Sequence, residues 1–167
     1  RYAEVIERLE KLNLNIKDLG DITIGRPSLS EAEAKSDGKL LNLDLIAEAN
    51  ETLAKMVDNE IKKDHFPLIL GGDHSISIGS IAGISQHFEN LGVIWYDAHG
   101  DLNTAETSPS GNIHGMPLAV NLGLGHEKLT NILGFKPKIK PENIVMVGIR
   151  DLDPGEQKIV KELGIHT

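Results

Sequence analysis

The chain has 167 residues, enough for one domain with its own hydrophobic core. Apolar residues make up 40% and charged residues 25%, an ordinary soluble balance, and no apolar run approaches the ~20 residues that a membrane helix needs. Seventeen basic against twenty-five acidic residues leave a net charge of −8, which argues against a nucleic-acid partner, and the lack of cysteine excludes a disulfide framework and any thiolate metal site.

Residues 3–14 carry Val5, Ile6, Leu9 and Leu12 at helical spacing. No basic, apolar and small-residue succession of a secretory signal precedes them, so a cytoplasmic location is expected. Residues 15–24 are short, extended and interrupted by Gly20, and residues 25–39 read as a surface loop rich in Gly, Pro, Ser and charge. A longer helix follows, with Leu45, Ile46, Ala49, Leu53, Met56, Val57 and Ile61 on one face. Residues 66–70 are expected as a buried strand, 75–88 as a helix and 91–96 as a second strand.

A long polar loop leads to a helical segment at 116–122, a short helix at 127–133, a strand at 144–149 and a helix at 154–163. Apolar strands separated by amphipathic helices predict an α/β fold whose parallel sheet is covered on both faces. The pattern is expected to be one partial domain over residues 1–167, incomplete at both ends. Arg1 opens into a helix with no strand before it, and Ile165 begins a strand cut short at Thr167.

In open α/β sheets, sites form beyond the carboxyl ends of the strands. Gly71-Gly72-Asp73-His74-Ser75 follows one strand, Asp97-Ala98-His99-Gly100-Asp101 the next, and Arg150-Asp151-Leu152-Asp153-Pro154 a third. Residues two apart at a strand end share a side, so Asp97, His99 and Asp101 are expected to converge with almost no backbone adjustment. Two carboxylates and an imidazole suit a hard or borderline divalent cation, and His74 could complete the set. Taken singly, His74 reads more blandly as a helix-start residue, and Asp73 or Ser75 as a helix cap.

The loop leaving this cluster holds Asn103, Ser110, Asn112 and His114. Its amides and hydroxyl could receive a substrate carboxylate, or simply be solvated and cap helices. His114 could move protons near neutral pH. Asp153-Pro154-Gly155-Glu156 has the form of a capping box, a role compatible with substrate binding at the same crevice.

These motifs, with Ser110-Gly111-Asn112-Ile113-His114-Gly115, together resemble the ureohydrolases and within them the arginase family. The match runs in order across most of the chain. The resemblance implies a three-layer α/β/α sandwich with a mainly parallel sheet, and assembly as a trimer or hexamer. It implies that His74 and Asp101 ligate one Mn²⁺ and His99 a second, with Asp97 bridging both. Asn103, Ser110 and Asn112 would address the substrate carboxylate, Asp153 and Glu156 the α-amino group, and His114 would shuttle protons. The implied reaction is hydrolysis of L-arginine to L-ornithine and urea by a hydroxide bridging the two metal ions.

Three other readings stay open. A ureohydrolase acting on agmatine or a guanidino acid shares the metal motifs, and only the carboxylate-binding loop argues against it. A metallophosphoesterase uses Asp-x-His and Gly-Asn-His elements, but here Ile113 splits Asn112 from His114, too close to Asp101 for a separate strand end. A non-catalytic chain is the third. The Ser-x-Asp-x-Asp motif that supplies two more metal carboxylates in the family does not occur in these 167 residues.

Overall fold

The computed structural model describes residues 4–25 and 40–167. Helix α1 (Val5–Glu10) falls inside the first expected helix, and residues 14–25 run on without regular structure. Beyond Gly25, the expected surface loop lies outside the described residues. Helix α2 (Leu43–Ile61) buries Leu43, Asn50, Leu53, Ala54, Val57 and Glu60 on one stripe, as three- and four-residue spacing dictates.

That stripe meets helix α3 (Ile76–Ser85), whose buried positions are Ile78 and the small residues Gly79, Ala82 and Gly83. A Cβ placed on Gly79 would lie 2.5 Å from the Asn50 carbonyl oxygen, and one on Gly83 2.5 Å from that of Ala54. The two backbones therefore touch where neither helix carries bulk. Gly79 N–H also donates to Asn50 Oδ1 at 2.7 Å, and Asn50 Nδ2 donates to the Ile46 carbonyl at 2.9 Å. The buried amide is thus paired on both ends, as burial requires.

Strands β1 (Val93–Tyr96) and β2 (Ile144–Val147) pair in parallel, with Val93 opposite Ile144 and Tyr96 opposite Val147. The crossover between them contains helix α4 (Pro117–Asn121) and helix α5 (Glu127–Thr130). Every residue of α4 is buried, because the helix stands between two cores. Val120 packs in one with Leu40, Leu43, Ile78 and Ile113; Leu118 and Ala119 pack in the other with Trp95, Ile144 and Met146.

Helix α6 (Pro154–Leu163) follows β2. Its ends match the sequence reading: Asp153 and Glu156 form the capping box, Pro154 is the first residue, and Gly164 (φ 65°) closes the helix in the left-handed conformation. Ile165 then turns inward, and His166 forms a parallel bridge to Val145. The expected terminal strand thus starts beside β2.

Two expectations differ from what the structure shows. Residues 66–70 form no strand, and Phe66, Leu68 and Leu70 are exposed. A ladder needs a neighbour to accept its N–H groups, and no strand pairs with this segment among the described residues. Among the described residues the sheet is also covered on one face only. Trp95, Ile144 and Met146 face the helices, while Ile94, Tyr96, Val145 and Val147 on the other side are exposed. Two of the three expected layers are therefore present among the described residues, and no helix there is long and apolar enough to cross a membrane.

Candidate metal centre

The carboxyl end of β1 and the start of α3 bring His74, Asp97 and Asp101 together, with one ligand atom of each within 4.8 Å of the others. His74 Nδ1 lies 2.8 Å from Asp97 Oδ2 and 2.7 Å from Asp101 Oδ2. Asp73 caps the turn that presents His74, its Oδ1 accepting from Ser75 N–H at 2.9 Å.

Asp101 adopts φ +50°, a left-handed conformation that Asp tolerates better than most residues but that still costs on the order of 1–3 kcal/mol. Three hydrogen bonds hold it there. Its carbonyl accepts from Leu118 N–H at 2.9 Å and Ala119 N–H at 3.2 Å, at the start of α4, and the next amide, Leu102 N–H, donates to Glu156 Oε1 at 3.0 Å.

His99 departs from the expected convergence. Its side chain is 70% exposed, with Nδ1 3.6 Å from Asp97 Oδ1, and it stands outside the three-residue group. The reason is local. Period-two parity holds only while the backbone stays extended, and the chain leaves the strand after Tyr96. Asp97 consequently sits between two histidines, Oδ2 toward His74 and Oδ1 toward His99.

The electrostatics follow from this packing. The Asp101 carboxylate, aided by Asp97, holds the His74 imidazole above its ordinary pKa against the opposing effect of burial. Burial works to raise Asp97, but the N–H groups of His99 and Ala98, together with His74, outweigh it and leave the carboxyl below the usual range. Burial also pushes Glu156 up, despite hydrogen bonds from Leu102 and Asp153.

Does the cluster fit a cation? A single ring nitrogen with at most one proton faces two carboxylate oxygens. Asp101 Oδ2 is buried and forms no hydrogen bond, although it lies beside that nitrogen. That nitrogen is the one neighbour described for a buried carboxylate oxygen, which is costly to leave without full compensation, and a divalent cation would satisfy it together with the other two donors. One imidazole and two carboxylates match the hardness of manganese and its neighbours. The residues fit the group.

The remaining sequence-predicted residues line the loop and the α6 cap. Asn103 is buried, its Nδ2 donating to Asp153 Oδ2 at 2.8 Å and its Oδ1 accepting from Thr107 Oγ at 2.9 Å. Glu156 has both oxygens engaged, Oε1 by Leu102 N–H and Oε2 by Asp153 N–H at 2.8 Å. Ser110 is exposed and its Oγ accepts from the N–H of half-buried Asn112 at 3.2 Å. His114 is exposed on a short 3₁₀ turn, Ile113–Gly115, and Gly115 closes the loop by accepting from Asn103 N–H at 3.1 Å.

The model of the Arginase family matches residues 2–167. The chain belongs to the arginase family. It is 61% identical over 165 residues to the arginase of Bacillus caldovelox, covering 99% of this chain and 54% of that one. It is 58% identical to the arginase of Bacillus subtilis (strain 168), covering 100% and 55%. The solved B. caldovelox arginase superimposes with a TM-score of 0.94 over 99% of this chain and 55% of that one, so the arginase α/β fold is shared. A formimidoylglutamase from B. subtilis, at 24% identity and a TM-score of 0.57 over 76% of this chain and 36% of its own, shares the fold alone. The chain spans about half the length of the curated arginases it matches.

Two residues that sequence reading missed support this arginase-family cluster. Trp95 stacks on the His74 ring, and Thr107 holds the Asn103 amide while its Oγ also accepts from Thr104 N–H at 2.9 Å. The signal for Trp95 was its place two residues before Asp97.

Proposed function

We propose that this chain carries the His74, Asp97, His99 and Asp101 portion of a manganese-dependent arginase that hydrolyses L-arginine to L-ornithine and urea. The observation that carries this reading is the convergence of His74, Asp97 and Asp101 around a buried carboxylate oxygen that forms no hydrogen bond. In this reading His74 and Asp101 would hold one Mn²⁺, His99 would hold a second and Asp97 would serve both; the two oxygens of Asp97, each turned to a different histidine, support that shared role. Bound there, the cations supply Lewis acidity that makes water a competent nucleophile at neutral pH.

The chain's own residues do the rest. Exposed His114 gives or takes a proton at its ring nitrogens, the proton the departing amine needs. Ser110 and Asn112 offer a hydroxyl and an amide to the substrate carboxylate. Asn103 joins that group through the edge of the same loop and fixes Asp153, which addresses the α-amino group. Glu156, with both oxygens occupied, serves the amino group by orienting Asp153. A cytoplasmic location and a trimeric or hexameric assembly belong to the same proposal, and the lack of cysteine supports the first.

The test is urea release from L-arginine and, in parallel, from agmatine, with and without added Mn²⁺. Metal-dependent release that favours arginine is the result that supports the reading. Preference for agmatine would overturn the substrate and leave the chemistry. Urea from neither, with manganese bound, would contradict catalysis by this chain while leaving the metal centre standing.

A further inference from the structure

Trp95 is the sole tryptophan of the chain, and it is buried while its strand neighbours Ile94 and Tyr96 are exposed on the opposite face. Asp97 follows the end of β1, two residues after Trp95, and both meet the same His74 side chain. Its ring lies over the Trp95 ring with centroids 4.3 Å apart and planes inclined by 26°, while its Nδ1 reaches Asp97 at 2.8 Å. The His74 side chain is itself about one-third exposed and follows Gly71-Gly72 on a turn. The indole Nε1 is buried and has no hydrogen-bond partner. The tryptophan is therefore used for the face of its ring, not for its N–H.

We propose that Trp95 is a positioning residue for His74: the stacked indole fixes the imidazole plane, so that Nδ1 points between Asp97 and Asp101. The inference rests on the metal-centre reading of this same site. It follows that a flat apolar ring is sufficient at position 95 and a branched aliphatic side chain is not.

The test compares Mn²⁺ binding by the whole chain, Trp95→Phe and Trp95→Leu. Free Mn²⁺ is counted by electron paramagnetic resonance, and far-ultraviolet circular dichroism of the metal-free proteins checks the fold. Trp95→Phe is expected to bind within about twofold of the unaltered chain, and Trp95→Leu about 10- to 100-fold more weakly at unchanged helix content, the range seen when a ligand loses its orienting partner. In the unaltered chain, emission of the sole tryptophan is expected to be quenched by Mn²⁺ with the midpoint that resonance gives. Equal binding by Trp95→Leu would overturn the proposal, as would Trp95→Phe binding as weakly as Trp95→Leu, or emission unmoved by bound Mn²⁺. If Trp95→Leu does not fold, the phenylalanine and emission results decide. An unaltered chain that binds no Mn²⁺ overturns the metal centre and this inference together, whereas binding that is indifferent to position 95 overturns this inference alone.

Discussion

Replacing Gly79 by alanine tests the helix pair that supports the site. The new methyl would sit 2.5 Å from the Asn50 carbonyl oxygen and 3.0 Å from Asn50 Oδ1. The first of these is helix backbone, so no side-chain rotation relieves it, and α2 and α3 must separate. Overpacking of a core costs typically 1–3 kcal/mol, and a backbone contact of this kind belongs at the upper end, about 3 kcal/mol. Alanine recovers about 1 kcal/mol of helix propensity relative to glycine. The net expectation is a loss of about 2 kcal/mol, or roughly 4–8 °C in Tm for a chain of this size. Denaturant unfolding followed by circular dichroism measures it, with Gly92→Ala as a comparison. A Cβ at Gly92 would meet only the Asn143 carbonyl oxygen at 4.0 Å, so a change within about 0.5 kcal/mol is expected. Gly79→Ala as stable as the unaltered chain would refute the close approach of the two helices.

Glu60 and Asp153 give two further expectations. Lys63, then His65 and Lys17, hold the Glu60 carboxyl down to about 2 from an ordinary 4.5. A depressed acid contributes stability that is present above its unfolded pKa and lost as pH falls through the folded one. The stability margin of the unaltered chain over Glu60→Gln, measured by denaturant titration, should therefore be constant above pH 4.5 and shrink between 4.5 and 2. Asp153→Ala removes the α6 cap and the acceptor for Asn103 Nδ2. It should destabilise by about 1–2 kcal/mol in the same titration, and in an arginine assay raise KM.

Much of the fold was legible in the sequence because punctuation and periodicity agreed. The bounds of α6 follow from Asp153, Pro154 and Gly164, and α2 from its apolar stripe. Residues 66–70 misled because an apolar, strand-forming run states a preference, while pairing is conferred by a neighbour. At the site, the spacing of Asp97 and Asp101 pointed to a metal, with His74 to complete the set, although the strand expected before His74 did not form. The outward turn of His99 was not legible, since it depends on where the chain leaves the strand, which it does after Tyr96. The capping role of Glu156 could be read locally. Its second bond, to Leu102 fifty-four residues earlier, could not.

The central claim is that His74, Asp97 and Asp101 form a metal site, and the most direct test is calorimetric titration of the chain and of Asp101→Asn with Mn²⁺. Asparagine keeps the size of the side chain and removes the charge of the buried oxygen that has no hydrogen bond. We expect saturable binding by the unaltered chain and affinity weakened by about tenfold or more in the variant. No binding by the unaltered chain, or the same affinity in both, would contradict the account.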